Sequence, residues 1–324
     1  MSRPVPRDPA PGGTARWTSW SGVVAVGLGA VGLGVVGAQA LVGAGDLPSA
    51  LATAQGRTVG PALIAVVAVL VVAERLWPAV PRTLLARAHL VDAAYLALFA
   101  VVVVPLLTLV ETGFAVETSR HAHFLIVGRL PVVPQVLVVA ITLVGIDAMN
   151  WMAHVANHRS VALWTLHALH HSQEDMSVLT TFRTHPLLHA TYALSLLPAL
   201  MLSASGAVPA TALIAYGCLV TLPHANLRWT LGPLGRVFVS PAYHRLHHAR
   251  DGGGRGAVNF GFVLVCWDQL AGRAAYPDAS GPVVTGLSGR PVPVEQDETR
   301  TVARTLVEQL IQPFRLVSAT DSTS

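Results

Sequence analysis

The chain has 324 residues, of which 52% are hydrophobic and only 12% charged, and its mean hydropathy is +0.55. Soluble domains carry about 25% charged residues, so this composition excludes an ordinary water-soluble globule and points to lipid contact. The 21 basic residues are all arginine against 17 acidic ones, and no dense arginine block interleaves with aromatics, which excludes a nucleic-acid-binding face.

Residues 1–16 are polar and rich in Pro and Gly, and are read as a disordered cytoplasmic N-terminus. Arg3, Arg7 and Arg16 precede an apolar run at about 20–42 that is too long for the hydrophobic core of a signal peptide. A membrane helix needs about 20 apolar residues. Four segments qualify: 21–42, 59–80, 90–110 and 131–151. The small residues of the first, Gly27, Gly29, Gly32, Gly34 and Gly37, permit close helix contacts. They lack the strand–turn–helix context of a nucleotide loop. Glu74 and Arg75, near the end of the second, are expected to snorkel or pair with each other.

Arginine distribution assigns direction. Arg82 and Arg87 in the 81–89 connection, with Arg75 just before it, outweigh Arg57 in the 43–58 loop; Arg120 and Arg129 in the 111–130 loop are accompanied by Glu111 and Glu117. The bias places the N-terminus and the 81–89 loop in the cytoplasm, and four crossings return the chain there near Trp151. A further apolar region at 187–222 reads as a short membrane hairpin that starts and ends on one side. Hydropathy falls from Asn226 onward. Residues 251–256 read as a turn, and 276–324 as a polar tail with an amphipathic helix at 301–314 that packs on the domain or lies on the membrane. Cys218 and Cys266 form no CxxC and are expected to be buried thiols. The expected organisation is therefore an all-α polytopic membrane protein. Its parts are a four-span region at 17–151, a cytoplasmic histidine-rich helical cap at 152–275 and the tail.

Fourteen histidines are present, and most fall in three patterns just beyond apolar segments. His154 and His158 in HVANH share one helical face at i,i+4. His167, His170 and His171 form HALHH, and His244, His247 and His248 repeat that spacing in HRLHH. Burying this many imidazoles without partners would be costly, and neutral imidazole is a good ligand for Fe and Zn. These eight residues are expected to build one shared metal centre. His185 and His189 in THPLLH, and His224 in PHAN, are further candidate ligands, with orientation of a ligand as their other reading. His89, His121 and His123 fall outside. Asp147 lies two helical turns before His154, on the same stripe, and is expected to accept an imidazole N–H behind the ligands rather than bind metal. Eight histidines exceed what one tetrahedral zinc needs. The lack of a carboxylate set argues against a soluble carboxylate-rich bundle. Two metal ions use the histidines more naturally, and iron is preferred to zinc because a nitrogen-rich two-metal centre with open positions can activate oxygen; two iron ions are the expected cofactor.

The stretches DAMNWMAHVANHRSVALWTLHALHHS (147–172), FRTHPLLH (182–189), PHANLRW (223–229) and SPAYHRLHHARDGGGRGAVNFGFVLVCWDQLAG (240–272) resemble the fatty acid hydroxylase/sterol desaturase superfamily. The resemblance covers about 60–275. It implies a multi-pass cell-membrane oxygenase with a histidine-bound non-haem di-iron centre that hydroxylates or desaturates a lipid-like substrate, membrane lipid or isoprenoid, with O2. His154 and His158 match its first histidine box, His167, His170 and His171 its second, His244, His247 and His248 its third. His185, His189 and His224 match its accessory positions. Asn259 falls in its Asn-aromatic-Gly segment, and Trp267 and Asp268 in its Trp-Asp segment, so Asn259 and Asp268 are expected behind the ligands. Val155 replaces a frequent arginine, and Ala271 and Arg273 depart from the family's pattern after Trp-Asp. With no fused haem or ferredoxin domain apparent, electrons are expected from a separate donor protein. Hydroxylation is preferred to desaturation as the simpler outcome of hydrogen abstraction. A zinc-dependent membrane hydrolase is disfavoured by the absence of HExxH and the surplus of histidines. A metal transporter is disfavoured because the ligands gather at one side.

Overall fold

The computed structural model describes residues 60–81, 87–107, 134–192, 215–250, 257–277, 283–288 and 301–321, with the single residues 117, 120, 121, 195 and 292. The expected first span at 21–42, the middle of the 187–222 hairpin and the 251–256 turn lie outside these. Among the described residues the fold is all-α, with three isolated β-bridges and no sheet.

The helices are α1 (Gly60–Leu76), α2 (Arg87–Leu98), α3 (Gln135–Arg159), α4 (Val161–His171), the short α5 (His189–Tyr192), α6 (Pro241–His247), α7 (Cys266–Leu270) and α8 (Val302–Asp321). α2 continues through a π-turn at Phe99–Val103, so its helical run reaches Leu107. That run, Arg87–Leu107, and Val136–Arg159 are long and apolar enough to cross a membrane. Both face outward over most of their length, with Val101 74% and Val136 72% exposed, and α1 likewise exposes Ile64 and Val69. Apolar faces of this extent signal contact with lipid or another apolar surface rather than water. The two helices are consistent with membrane association.

The expected span at 131–151 does not stop at Trp151. α3 runs on without a break through His154 and His158 to Arg159, because nothing between 147 and 159 interrupts a helix. Ser160 then ends one helix and starts the next. It is extended, its N–H donates to the Ala156 carbonyl, and its Oγ accepts the Leu163 N–H, the side-chain cap that serine supplies best. This single residue folds α4 back against α3, which turns the first two histidine boxes toward each other. α6 is set by Ser240, whose Oγ accepts the Tyr243 N–H at 3.1 Å, and by Pro241 in its first turn.

A buried ion pair pins the end of α4 to α2. Arg183 donates to Asp92 at 3.0 Å, both side chains being fully buried. Its remaining nitrogens reach the Leu169 carbonyl and Ser172 Oγ, while Gln173 and Thr180 donate to the other Asp92 oxygen. A lone acidic residue inside the apolar run at 90–110 is a signal that sequence reasoning passed over. Glu74 neither snorkels nor relies on Arg75 alone: its carboxylate accepts the backbone N–H groups of Val178 and Asn226, which ties the end of α1 to the segments flanking the site. α8 is longer than the expected 301–314. It packs on the domain, with Val302, Leu306 and Leu310 against Val91, Tyr95 and Leu169. Cys218 and Cys266 are free thiols, and neither is fully buried.

Candidate metal centre

Nine of the histidines converge in two groups. His154, His158, His167, His171 and His247 place one ring nitrogen each within 4.8 Å of one another, and so do His170, His224, His244 and His248. None of the nine is more than 6% exposed. The HxxHH spacing explains how two groups arise from few helices. In α4, His167 and His171 lie one turn apart and face the first group, while His170 turns to the second. In α6 and its C-cap, His247 faces the first group, and His244 and His248 the second. α3 serves only the first group and His224 only the second. The groups abut, with the rings of His171 and His248 stacked at 4.4 Å.

Ring nitrogens face one another within the groups. His154 Nε2 and His167 Nε2 lie 3.1 Å apart, His170 Nε2 and His224 Nε2 3.0 Å, and His224 Nε2 and His244 Nε2 3.1 Å. Both ring nitrogens of His171 and of His248, and His247 Nε2, are buried with no hydrogen-bond partner, a costly arrangement unless a cation takes the lone pairs. Burial first, and the neighbouring imidazoles second, pull His167, His170, His171, His244, His247 and His248 well below the ordinary imidazole range. Burial takes His224 down to about 3. All are therefore neutral and carry an available lone pair. The donor set is entirely imidazole, which suits iron or zinc, and the two groups are capable of holding a metal ion each.

The tautomers of two of these histidines are fixed from behind. His154 Nδ1–H donates to the Phe260 carbonyl and His247 Nδ1–H to the Val258 carbonyl, both at 2.8 Å. Each bond leaves Nε2 as the lone-pair nitrogen facing the group. The carbonyls come from one loop. Its Asn259 has φ of 63°, a left-handed conformation that asparagine tolerates, and is held by bonds to the Tyr243 and Ala275 carbonyls and from the Ala275 N–H. Asp268 clamps the loop's far side, accepting from Phe260 N–H, Gly261 N–H, Trp151 Nε1–H and Tyr243 Oη–H at 2.9–3.0 Å.

Asp147 has a different environment from the one expected. It accepts from Tyr216, from the N–H groups of Val263 and Leu264 and from Trp267 Nε1, rather than from an imidazole. Asp147 and Trp151 of α3 thus exchange bonds with the consecutive pair Trp267–Asp268, at 2.9 Å each way. The i,i+4 spacing of Asp147 and Trp151 was the sequence signal for this tie. Two further candidates also sit elsewhere. His185 lies outside both groups: its Nδ1 accepts the Leu187 N–H and its Nε2–H donates to the Leu310 carbonyl, so both nitrogens are occupied by backbone. His189 also lies outside them, its ring tilted against Phe99 at 5.5 Å, and it lines the cavity beside the two groups.

A cavity of about 280 Å³ opens beside the two groups. His154, His167, His170, His224 and His244 form one wall, and Leu63, Phe99, Leu107, Phe182, Val220 and Phe262 much of the remainder. An apolar molecule entering it would meet both groups.

The fatty acid hydroxylase family model matches residues 139–273, the interval that contains all nine histidines. The chain is 31% identical over 202 residues to ornithine lipid hydroxylase OlsE of Rhizobium tropici, covering 60% of this chain and 55% of that protein. It is 28% identical over 146 residues to alkylglycerol monooxygenase of Caenorhabditis elegans, covering 44% and 28%. It is 28% identical over 153 residues to the Homo sapiens alkylglycerol monooxygenase, covering 44% and 32%. The chain therefore spans about half the length of the first relative and about a third of the others. No solved structure matches it. With the family match lying on the converged histidines and these relatives sharing that region, residues 139–273 form a fatty acid hydroxylase family region.

Proposed function

We propose that this protein is a multi-pass membrane oxygenase that hydroxylates a C–H bond of a membrane lipid or isoprenoid, with two iron ions, O2 and electrons from a separate donor protein. The observation that carries the reading is the pairing of two abutting all-imidazole groups with an apolar cavity that has five of the nine imidazoles in its wall. His154, His158, His167, His171 and His247 would hold one ion, and His170, His224, His244 and His248 the other. Iron held there would supply activation of O2, with one oxygen atom entering the product as a hydroxyl and the other leaving as water, which takes two electrons from the donor and two protons from solvent. The protein's own part is positional. The imidazoles stay neutral because they are buried together, and the Val258 and Phe260 carbonyls fix two of their tautomers. Leu63, Phe99, Phe182, Val220 and Phe262 bind a hydrocarbon segment and keep water away from it. Two relatives named as lipid-acting hydroxylase and monooxygenase support hydroxylation over desaturation.

In this reading the membrane region at 17–151 and the catalytic region at 152–275 share α3, and a short hairpin near 187–222 completes the membrane part. The histidine groups lie on the cytoplasmic side, as the arginine distribution argues. The test is iron content together with labelled-O2 incorporation into membrane lipids, compared between a deletion strain and a complemented one. Label entering from O2 into a hydroxylated lipid, with about two iron ions per chain, is expected. Label entering from water with no O2 requirement would instead identify a hydrolase, and a new double bond without label a desaturase.

A further inference from the structure

Beyond the site, one surface has no role in holding metal or lining the cavity. Residues 228–238, RWTLGPLGRVF, are exposed at every position except Leu231 and Gly235, so the segment projects from the domain. What it projects is apolar: Leu234 is 61% exposed, and Val237, Phe238 and Trp229 are also turned outward. Leu270, in the neighbouring α7, is 82% exposed. The only charged residues in the segment are Arg228 and Arg236. Its shape is built rather than loose. Leu231 and Gly232 both adopt left-handed φ, 60° and 54°, and a Cβ at Gly235 would collide with the Thr230 carbonyl. A leucine held at positive φ is strained, and the turn bears that strain while presenting Leu234 outward.

Two independent ties fix where this projection lies along the membrane helices. On one side, Pro78 bridges to Leu227, and the ring of Trp77, the residue after the last of α1, lies 6.1 Å from Trp229. On the other, Val239 N–H donates to Val263 O and Val265 N–H to Val237 O, and the 263–268 segment is bonded to Asp147 and Trp151 of α3. Asp147 and Trp151 are twelve and sixteen residues from the start of α3, about 18 and 24 Å along it, toward the far boundary of a hydrocarbon core about 30 Å thick. The projection is therefore level with the end of α1 and with the Asp147–Trp151 stretch of α3.

We propose that residues 228–238, with Trp77 and Leu270, form an interfacial wedge. Leu234, Val237, Phe238 and Leu270 sit at the acyl boundary of the leaflet nearest the histidine groups, Trp77 and Trp229 lie at headgroup level, and Arg228 and Arg236 meet lipid phosphates. The proposal rests on the reading of α1–α3 as membrane-embedded. Aromatic rings at the boundary, arginines beside them and an apolar tip are what a bilayer interface selects. The wedge would set the cavity at lipid depth.

The test uses the full chain in nanodiscs containing anionic lipid, with Cys218 and Cys266 replaced by Ala and a single nitroxide label at Leu234→Cys or, as a second position, Val237→Cys. Labels at Ile141→Cys on α3 and Ser288→Cys on an exposed turn serve as references. Accessibility to O2, which concentrates in lipid, is compared with that to a water-soluble nickel chelate. Labels at 234 and 237 are expected to follow 141 in favouring O2, opposite to 288. If 234 and 237 follow 288 while 141 favours O2, the wedge is wrong and the membrane reading stands. If 141 also favours nickel, the membrane reading has failed and the wedge falls with it. Labels at 234 and 237 that are immobile and shielded from both reagents would show a protein interface there and overturn the lipid assignment.

Discussion

Replacing Asp268 with Asn isolates the link between the loop at 258–261 and the metal ligands. The carboxylate accepts four hydrogen bonds, two per oxygen, from Trp151, Phe260, Gly261 and Tyr243. An amide keeps one oxygen and turns an NH2 toward two of these donors. Two bonds to a charged acceptor, at about 1.5–3 kcal/mol each, are lost. Against that, burial already raises the Asp268 pKa, so the neutral amide recovers part of the cost of burying charge. A net loss of about 3 kcal/mol in stability follows. The chemical consequence travels one peptide further. Phe260 N–H is held by Asp268 and Phe260 C=O by His154 Nδ1–H, so a loosened peptide lets the imidazole rotate or change tautomer. Losses of this kind commonly reduce metal affinity about 10–100-fold. The assay is paired: denaturation of the detergent-solubilised protein, and iron retained against a graded chelator series. Wild-type stability together with wild-type iron retention would refute the bonding described. A destabilised protein that retains iron like the wild type would refute the coupling through Phe260 and leave Asp268 a structural brace only.

His170→Ala and His247→Ala, one from each imidazole group, are each expected to lose iron and abolish oxygenation while inserting normally, as read by metal analysis and membrane fractionation. Gly261→Ala places a Cβ 2.7 Å from the Leu264 carbonyl and 3.1 Å from Asp268 Oδ2. The resulting shift should cost about 1–3 kcal/mol and lower iron content, whereas Gly217→Ala, which meets nothing within 4 Å, should do neither. Asp92→Ala strands the fully buried Arg183 and should destabilise by about 3–5 kcal/mol, seen as a lowered unfolding midpoint. Burial lowers the His185 pKa to about 4, below the ordinary imidazole value of about 6.5. The unfolded chain takes up the proton first, so this residue's contribution is intact above pH 6.5 and falls by up to about 3 kcal/mol as pH drops toward 4. The unfolding midpoint of His185→Gln should fall less over that interval than that of the wild type; parallel profiles would remove His185 as the cause.

The helical histidine spacings already carried much of the site. Once 167–171 and 244–248 are helical, the 3.6-residue period alone splits each HxxHH between two directions, so a two-group centre follows from local geometry. The apolar runs were legible for the same reason: hydrophobicity is additive along the chain. Where the runs stop as helices was not, because α3 crosses from apolar into histidine-bearing sequence with no backbone signal at Trp151, and Ser160 ends it instead.

What only the tertiary structure decided is which distant groups share a hydrogen bond. Asp147 and Asp268 look alike in sequence as acids beside the histidine boxes. Packing of 263–268 against α3 gives Asp147 to Trp267 and the Val263–Leu264 backbone, and Asp268 to the loop behind His154. His185 and His224 were both further candidate ligands outside the three histidine boxes. One is taken up by the Leu310 carbonyl of α8, 125 residues away, and the other meets His170 and His244. Residue type and local period fix what a side chain can bind and which face it occupies. The partner it finds depends on the closing of long loops, and no local pattern encodes that.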